Sequence, residues 1–142
     1  MIHDSNSQCC SVEKARRLKE LGVKQSSLFY WDIISEDVCS LNELPEYHPG
    51  IEWYSAFNVS ELMDIIPAYI DTGKNEPFNG FWFSLNKRLA LNIRYIVNYY
   101  CDTSPYGQMP SSLMSHNIYD EKLADCLAKM LIYLLENELM AI

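Results

Sequence analysis

The stretch Leu91-Asn92-Ile93-Arg94-Tyr95-Ile96-Val97-Asn98-Tyr99-Tyr100 decides the fold class. Leu91, Ile93, Tyr95, Val97 and Tyr99 fall on every second position, so extended backbone places them on one face. Asn92, Arg94, Ile96, Asn98 and Tyr100 fall on the other. A period of two in β-branched and aromatic residues predicts a strand with one core face and one half-wetted face.

Working outward, Phe78 to Leu85 predicts a neighbouring strand with Phe81, Phe83 and Leu85 inward and Trp82 and Ser84 opposite. Ala68-Tyr69-Ile70-Asp71-Thr72 predicts a further strand, closed by a Gly73-Lys74-Asn75 turn. Earlier still, Ser27 to Ile33 and Ile51 to Phe57 predict two aromatic-rich strands. The connection between them is long for a hairpin, so it hides a small element or marks a functional insertion. Ser40 to Leu44 suits a short turn or helix there, and Tyr47-His48-Pro49-Gly50 reads as a turn.

Three helices frame these strands. Val12 to Leu21 carries Val12, Ala15, Leu18 and Leu21 on one side and Arg16, Arg17 and Lys19 on the rest, with Ser11 as N-cap and Gly22 as stop. Asn58-Val59-Ser60-Glu61 is a capping-box pattern, with Phe57 and Leu62 at the staple positions and Pro67 ending a helix from Val59 to about Ile66. Tyr119 to Leu139 predicts the longest helix, with Asp120 as cap and an Asp125–Lys129 pair on its surface. Its Leu123, Leu127, Met130, Leu131, Leu134 and Leu135 make a stripe broad enough to lie across a sheet. Cys101 to Ser115 reads as loop. The expected order is α-β-β-α-β-β-β-α, an α+β fold in which a mainly antiparallel sheet packs against helices.

The 142-residue chain is 49% hydrophobic, enough for a single α+β domain over residues 11–142, preceded by a polar, flexible leader over 1–10. The leader lacks the basic and apolar segments of a secretory signal. The greasiest run, Leu127 to Leu135, is broken by Lys129 and is too short to cross a membrane. Five cysteines form no disulfide framework, and Cys126 suits a reduced core thiol. These features point to a cytoplasmic protein with no membrane partner. The formal charge of -8 disfavours general double-stranded nucleic-acid binding.

Catalytic chemistry finds little support. The three histidines, His3, His48 and His116, lie in a leader, a turn and a loop. His48, Asp32 and Cys39 converge only if the first two strands are neighbours, and His116 competes with the capping role of Asp120. No phosphate-cradling loop, serine elbow or zinc spacing is present, so no catalytic residue, metal site or cofactor is expected.

Aromatics offer more. Trp31, Trp53, Tyr54, Trp82 and Tyr100 exceed what a small core must hide and suit interface anchors. Residues 25–80 hold ten acidic and one basic side chain, which suits recognition of a partner by charge complementarity. An unknown protein partner, or a second copy in a homo-oligomer, is the leading expectation. The alternative is single-stranded nucleic acid at Lys87, Arg88 and Arg94 beside Trp82, Tyr95 and Tyr100. Tyr95 and Arg94 fall on opposite strand faces, which divides that cluster. A small hydrolase ranks third.

Three pieces carry a resemblance. They are Glu13-Lys14-Ala15-Arg16-Arg17-Leu18-Lys19-Glu20-Leu21-Gly22 leading into Phe29-Tyr30-Trp31, Ser60-Glu61-Leu62-Met63-Asp64-Ile65-Ile66-Pro67, and Leu123 to Asn137. Taken in order, the chain resembles uncharacterised small α+β proteins encoded by bacteria, phages and prophages. The resemblance implies an accessory protein associated with phage or mobile elements, and transfers no activity to particular residues.

Overall fold

At Ser11 the backbone is still extended, and from Val12 it winds into helix α1 (Val12–Glu20), which buries Ala15 and Leu18. Gly22 ends it at a φ of 91°, a left-handed conformation that favours glycine. Gly22 N–H reaches the Lys19 carbonyl and Val23 N–H reaches that of Leu18, both at 3.0 Å. Val23 and Leu18 are both buried, completing the apolar contact of this helix-ending motif. The computed structural model describes residues 8–32, 37–40, 53–71, 80–87, 95–101, 111–112 and 118–142.

Strand β1 (Phe29–Asp32) pairs antiparallel with β2 (Asp37–Ser40) on one side and β3 (Tyr54–Ser55) on the other. The element hidden in the long connection is therefore β2. The expected second strand is shorter than its apolar run: beyond Ser55, Ala56 N–H bonds the Phe29 carbonyl at 2.9 Å and the chain turns toward the next helix. Helix α2 (Val59–Ile65) begins with the expected box. Asn58 Oδ1 accepts from Glu61 N–H at 2.9 Å, and Glu61 Oε2 accepts from Asn58 N–H at 3.0 Å. Phe57 and Leu62 are buried at the staple positions. Ile66, ahead of Pro67, is already extended.

The second sheet contains β4 (Tyr69–Asp71), β5 (Gly80–Lys87), β6 (Tyr95–Cys101), β7 (Ser111–Ser112) and β8 (Ile118–Asp120). Its path is β4-β5-β6-β7, and β8 also pairs with β6, every pair antiparallel. Two short strands thus divide one edge of β6: β7 meets Tyr100 and Cys101, and β8 meets Tyr95 to Val97. Both differ from expectation. Ser111–Ser112 is a strand where the sequence predicts loop, and Tyr119–Asp120 belong to a strand where it predicts a helix start capped by Asp120.

Helix α3 (Leu123–Glu136) starts after that strand. Asp120 still serves its entry, since its Oδ1 accepts from Lys122 N–H at 2.9 Å and its Oδ2 lies 2.6 Å from Lys129 Nζ. The expected Asp125–Lys129 pair does not form. Asp125 Oδ1 instead accepts from Ser11 N–H at 2.7 Å and faces Lys14 Nζ at 3.8 Å, which ties α3 to the start of α1.

Ala124, Cys126, Leu127, Ala128, Met130, Leu131 and Leu134 are all buried because α3 packs against α1, α2, β6 and β8 together. A helix covered on several sides must be apolar over more than one stripe. The fold class is α+β, as the periodicities imply. Cys9 and Cys10 correct the expected leader: both are fully buried, and Cys10 N–H bonds the Phe57 carbonyl at 2.9 Å. Small apolar side chains at these positions fill the core, so the polar lead-in ends before them. Among the described residues, no helix is long and apolar enough to cross a membrane.

Candidate interaction site

The five-stranded sheet has two chemically different faces. Ile70, Phe81, Val97 and Tyr99 are buried toward α3, and Phe83 stacks edge-on with Tyr99 at 5.5 Å. The Tyr99 hydroxyl donates to the Pro67 carbonyl. Burial pushes its pKa far above the ordinary value. Phe81, Phe83 and Leu85 all take this face, as expected, although Leu85 remains 40% exposed.

The outer face carries Trp82, Ser84 and Asn86 of β5 by strand alternation. Tyr69 of β4 lies directly across from Trp82, with ring centroids 4.8 Å apart and planes inclined by 56°. Tyr69 is 44% exposed and Trp82 51%, although aromatic pairs of this size are usually spent on cores. Beside them, Asn86 Nδ2 donates to Ser84 Oγ at 3.2 Å, and Asn98 of β6 faces Ser84 in the ladder. Across the sheet Tyr119 of β8 is exposed opposite Ile96, which is buried. Around the Tyr69–Trp82 pair the surface is aromatic and amide-rich, and Asp71 takes the same face as Tyr69 by alternation along β4.

Sequence reasoning named Trp82 and missed Tyr69. The signal was available: Tyr69 begins a short strand just after Pro67, with its neighbour Ile70 taking the inward position. Register with Trp82, however, is a property of the paired strands.

The other aromatic candidates are placed elsewhere. Trp31 and Tyr54 are cross-strand partners on β1 and β3 and are both buried, so their rings serve the core. Trp31 Nε1 donates to the Cys10 carbonyl at 3.0 Å. Trp53 is half-buried, and its carbonyl accepts from Lys19 Nζ at 3.4 Å. Tyr100 stands opposite Trp82 in the ladder, and its side chain lies outside the described residues. Of the basic candidates, Lys87 is exposed at the end of β5, five positions beyond Trp82 and hence on the opposite face. Arg88 and Arg94 lie outside the described residues, as do His3, His48 and His116.

Asp32 faces Asp37, and Cys39 faces Tyr30, so no His48–Asp32–Cys39 arrangement can be described. Among the described residues no three His, Cys, Asp or Glu side chains gather where they could hold a metal ion. Burial raises the thiol of Cys9 to about 11, that of Cys10 to about 12 and that of Cys126 to about 11, which keeps them protonated and poorly nucleophilic at neutral pH. Cys126 Sγ lies 3.7 and 3.6 Å from the carbonyls of Tyr95 and Ile118, a packing role between α3 and the sheet.

The architecture defines an α+β protein whose outer sheet face exposes the Tyr69–Trp82 pair. Comparison with protein-family models, curated proteins and solved structures found no match in any of the three.

Proposed function

We propose that this chain is a non-catalytic interaction module that binds a protein partner through the outer face of its five-stranded sheet. The observation that carries the reading is the exposed Tyr69–Trp82 pair. Tyr and Trp bury large areas with few rotatable bonds, and their rings anchor interfaces more often than other side chains do. Ser84 and Asn86 supply hydrogen-bonding groups beside them, as the polar surround of an interface does. The cytoplasm suits this role, since Cys9, Cys10 and Cys126 are buried, unbridged thiols. The resemblance to small bacterial and phage-encoded proteins makes an accessory role in phage or mobile-element biology part of the same reading.

Single-stranded nucleic acid is less well supported. Stacking bases on Trp82 calls for cations on the same face, and Lys87 alternates away from it. The net charge of -8 adds repulsion.

The test is affinity capture from host lysate with the full chain, its Trp82→Ser and Tyr69→Ser variants, and Leu28→Ser as an exposed control remote from the sheet face. A partner held by wild type and Leu28→Ser, and lost from both sheet variants with unchanged circular dichroism, supports the proposal. Equal capture by Trp82→Ser overturns it. Nuclease-sensitive enrichment would transfer the face to nucleic acid.

A further inference from the structure

Helix α1 divides its four cations into two pairs. Lys14 faces Asp125 at 3.8 Å, and Arg17 bonds both Glu136 at 2.9 Å and Glu20 at 3.2 Å. Arg16 and Lys19 have no carboxylate partner among the described residues. They converge instead over the ring of Tyr54, with Arg16 Cζ 5.6 Å and Lys19 Nζ 5.2 Å from its centroid. The two cations, Tyr54 and Glu20 surround a notch of about 490 Å³ between α1 and β3. Glu20, whose Oε2 accepts from Arg17 Nη1 at 3.2 Å, forms one rim of the notch and is paired with Arg17 rather than with Arg16 or Lys19.

Like charges three residues apart on a helix repel one another. The negative face of the Tyr54 ring offsets part of that repulsion, and the Trp53 carbonyl takes one of the Lys19 protons at 3.4 Å. The Arg16 fork and the remaining ammonium protons stay open to the notch. Acidic residues outnumber basic ones 19 to 11 in this chain, so leaving two adjacent cations without a carboxylate is not forced by a shortage of acids. Planar guanidinium donors beside a point-charge ammonium match the oxygens of a carboxylate or a phosphate.

We propose that the notch between α1 and β3 is an oxyanion-binding site, in which Arg16 and Lys19, held over Tyr54, grip a carboxylate or phosphate group. The site lies on different elements from the outer sheet face and stands independently of the function proposed for that face.

The experiment is an NMR titration of the full chain at constant ionic strength with two probes, inorganic phosphate and a short polyglutamate peptide. The signals followed are Arg16 Nε–Hε and the amides of Trp53 and Tyr54. Saturable shifts at these groups with either probe support the site. Phosphate alone identifies a free small anion as the ligand, and the peptide alone identifies a partner-borne carboxylate. Arg16→Gln and Lys19→Gln, tested singly at positions outside the core, should each weaken binding by about tenfold, the loss expected for a missing charge-assisted hydrogen bond. Lys24→Gln should leave binding unchanged. Shifts that never saturate with either probe, or affinities unaltered in both single variants, or an equal loss in Lys24→Gln, overturn the proposal.

Discussion

The indole N–H of Trp31 donates to the main-chain carbonyl of Cys10 at 3.0 Å inside the core, joining the N-terminal segment to the central strand of the three-stranded sheet. Cys10 is held from its other side as well, through its N–H to the Phe57 carbonyl. The segment before α1 is therefore part of the packed structure from Cys9 onward.

Trp31→Phe should keep most of the apolar packing and leave the Cys10 carbonyl without its donor. The expected loss is about 1–3 kcal/mol, the range for an unsatisfied buried polar group. Urea unfolding checks it: the midpoint should fall with the slope unchanged. A wild-type midpoint would show that the hydrogen bond contributes nothing net.

Glu61 does more than close the capping box, because its Oε1 also accepts from Leu28 N–H at 2.8 Å. Asn58→Ala should destabilise by about 1 kcal/mol. Glu61→Ala should cost more, since it releases the lead-in to β1 along with the helix start. A double-mutant cycle measures the shared part, expected at about 0.5 kcal/mol or above for residues in direct contact.

Exposed and buried apolar residues should separate binding from stability. Trp82→Ser removes a half-exposed ring and its pairing with Tyr69, at a cost of about 0.5–1.5 kcal/mol, while abolishing partner capture. Leu131→Ala, fully buried in α3, should cost about 2–5 kcal/mol through the cavity it leaves. Thermal melts rank the two; a larger loss for Trp82→Ser would mean that the outer face is structural.

Asp120 should govern part of the acid limb of stability. Burial alone would raise its pKa, but the Lys129 hydrogen bond, the Lys122 N–H and the charges of Lys129 and Lys14 outweigh it and hold the carboxyl below its ordinary 3.8. A depressed folded pKa means stability present above pH 3.8 and lost as the pH falls through the folded value. Asp120→Asn should therefore be less stable than wild type near neutrality and converge on it in acid, as read by denaturant midpoints across pH.

The buried thiols set the alkaline limb. Cys9, Cys10 and Cys126 ionise near 9.0 when unfolded and at about 11, 12 and 11 when folded, so their contribution is intact below pH 9.0 and erodes above it. At about pH 8 these three should resist a thiol reagent in the native state and react in urea, where burial no longer suppresses the thiolate. Peptide mapping after labelling identifies them. Rapid native labelling of Cys10 would contradict its burial.

Much of this protein is legible locally. Period two over Leu91–Tyr100 marks β6, the Asn58–Glu61 pattern marks the start of α2, and Gly22 marks the end of α1, because each signal involves groups within a few residues of one another. The beginning of α3 was misplaced for the same kind of reason: Tyr119 and Asp120 have helix-compatible neighbours, but hydrogen bonds to β6, distant in sequence, draw them into a strand. Asp125 likewise meets Ser11 and Lys14 on another helix and not the Lys129 one turn away.

The sequence by itself determined the α+β class, the Asn58–Glu61 capping box, the Gly22 stop and the inward positions of Phe81, Val97 and Tyr99, since these follow from backbone periodicity and nearest-neighbour chemistry. Only the tertiary structure decided which aromatics are spent on the core and which reach solvent. Trp31 and Trp82 look alike as residues in aromatic strands. Trp31 is covered because its sheet packs inward onto the segment carrying Cys10, and Trp82 is left open because α3 covers the other face of its sheet. Burial depends on what arrives from elsewhere in the chain, and no local pattern records that arrival.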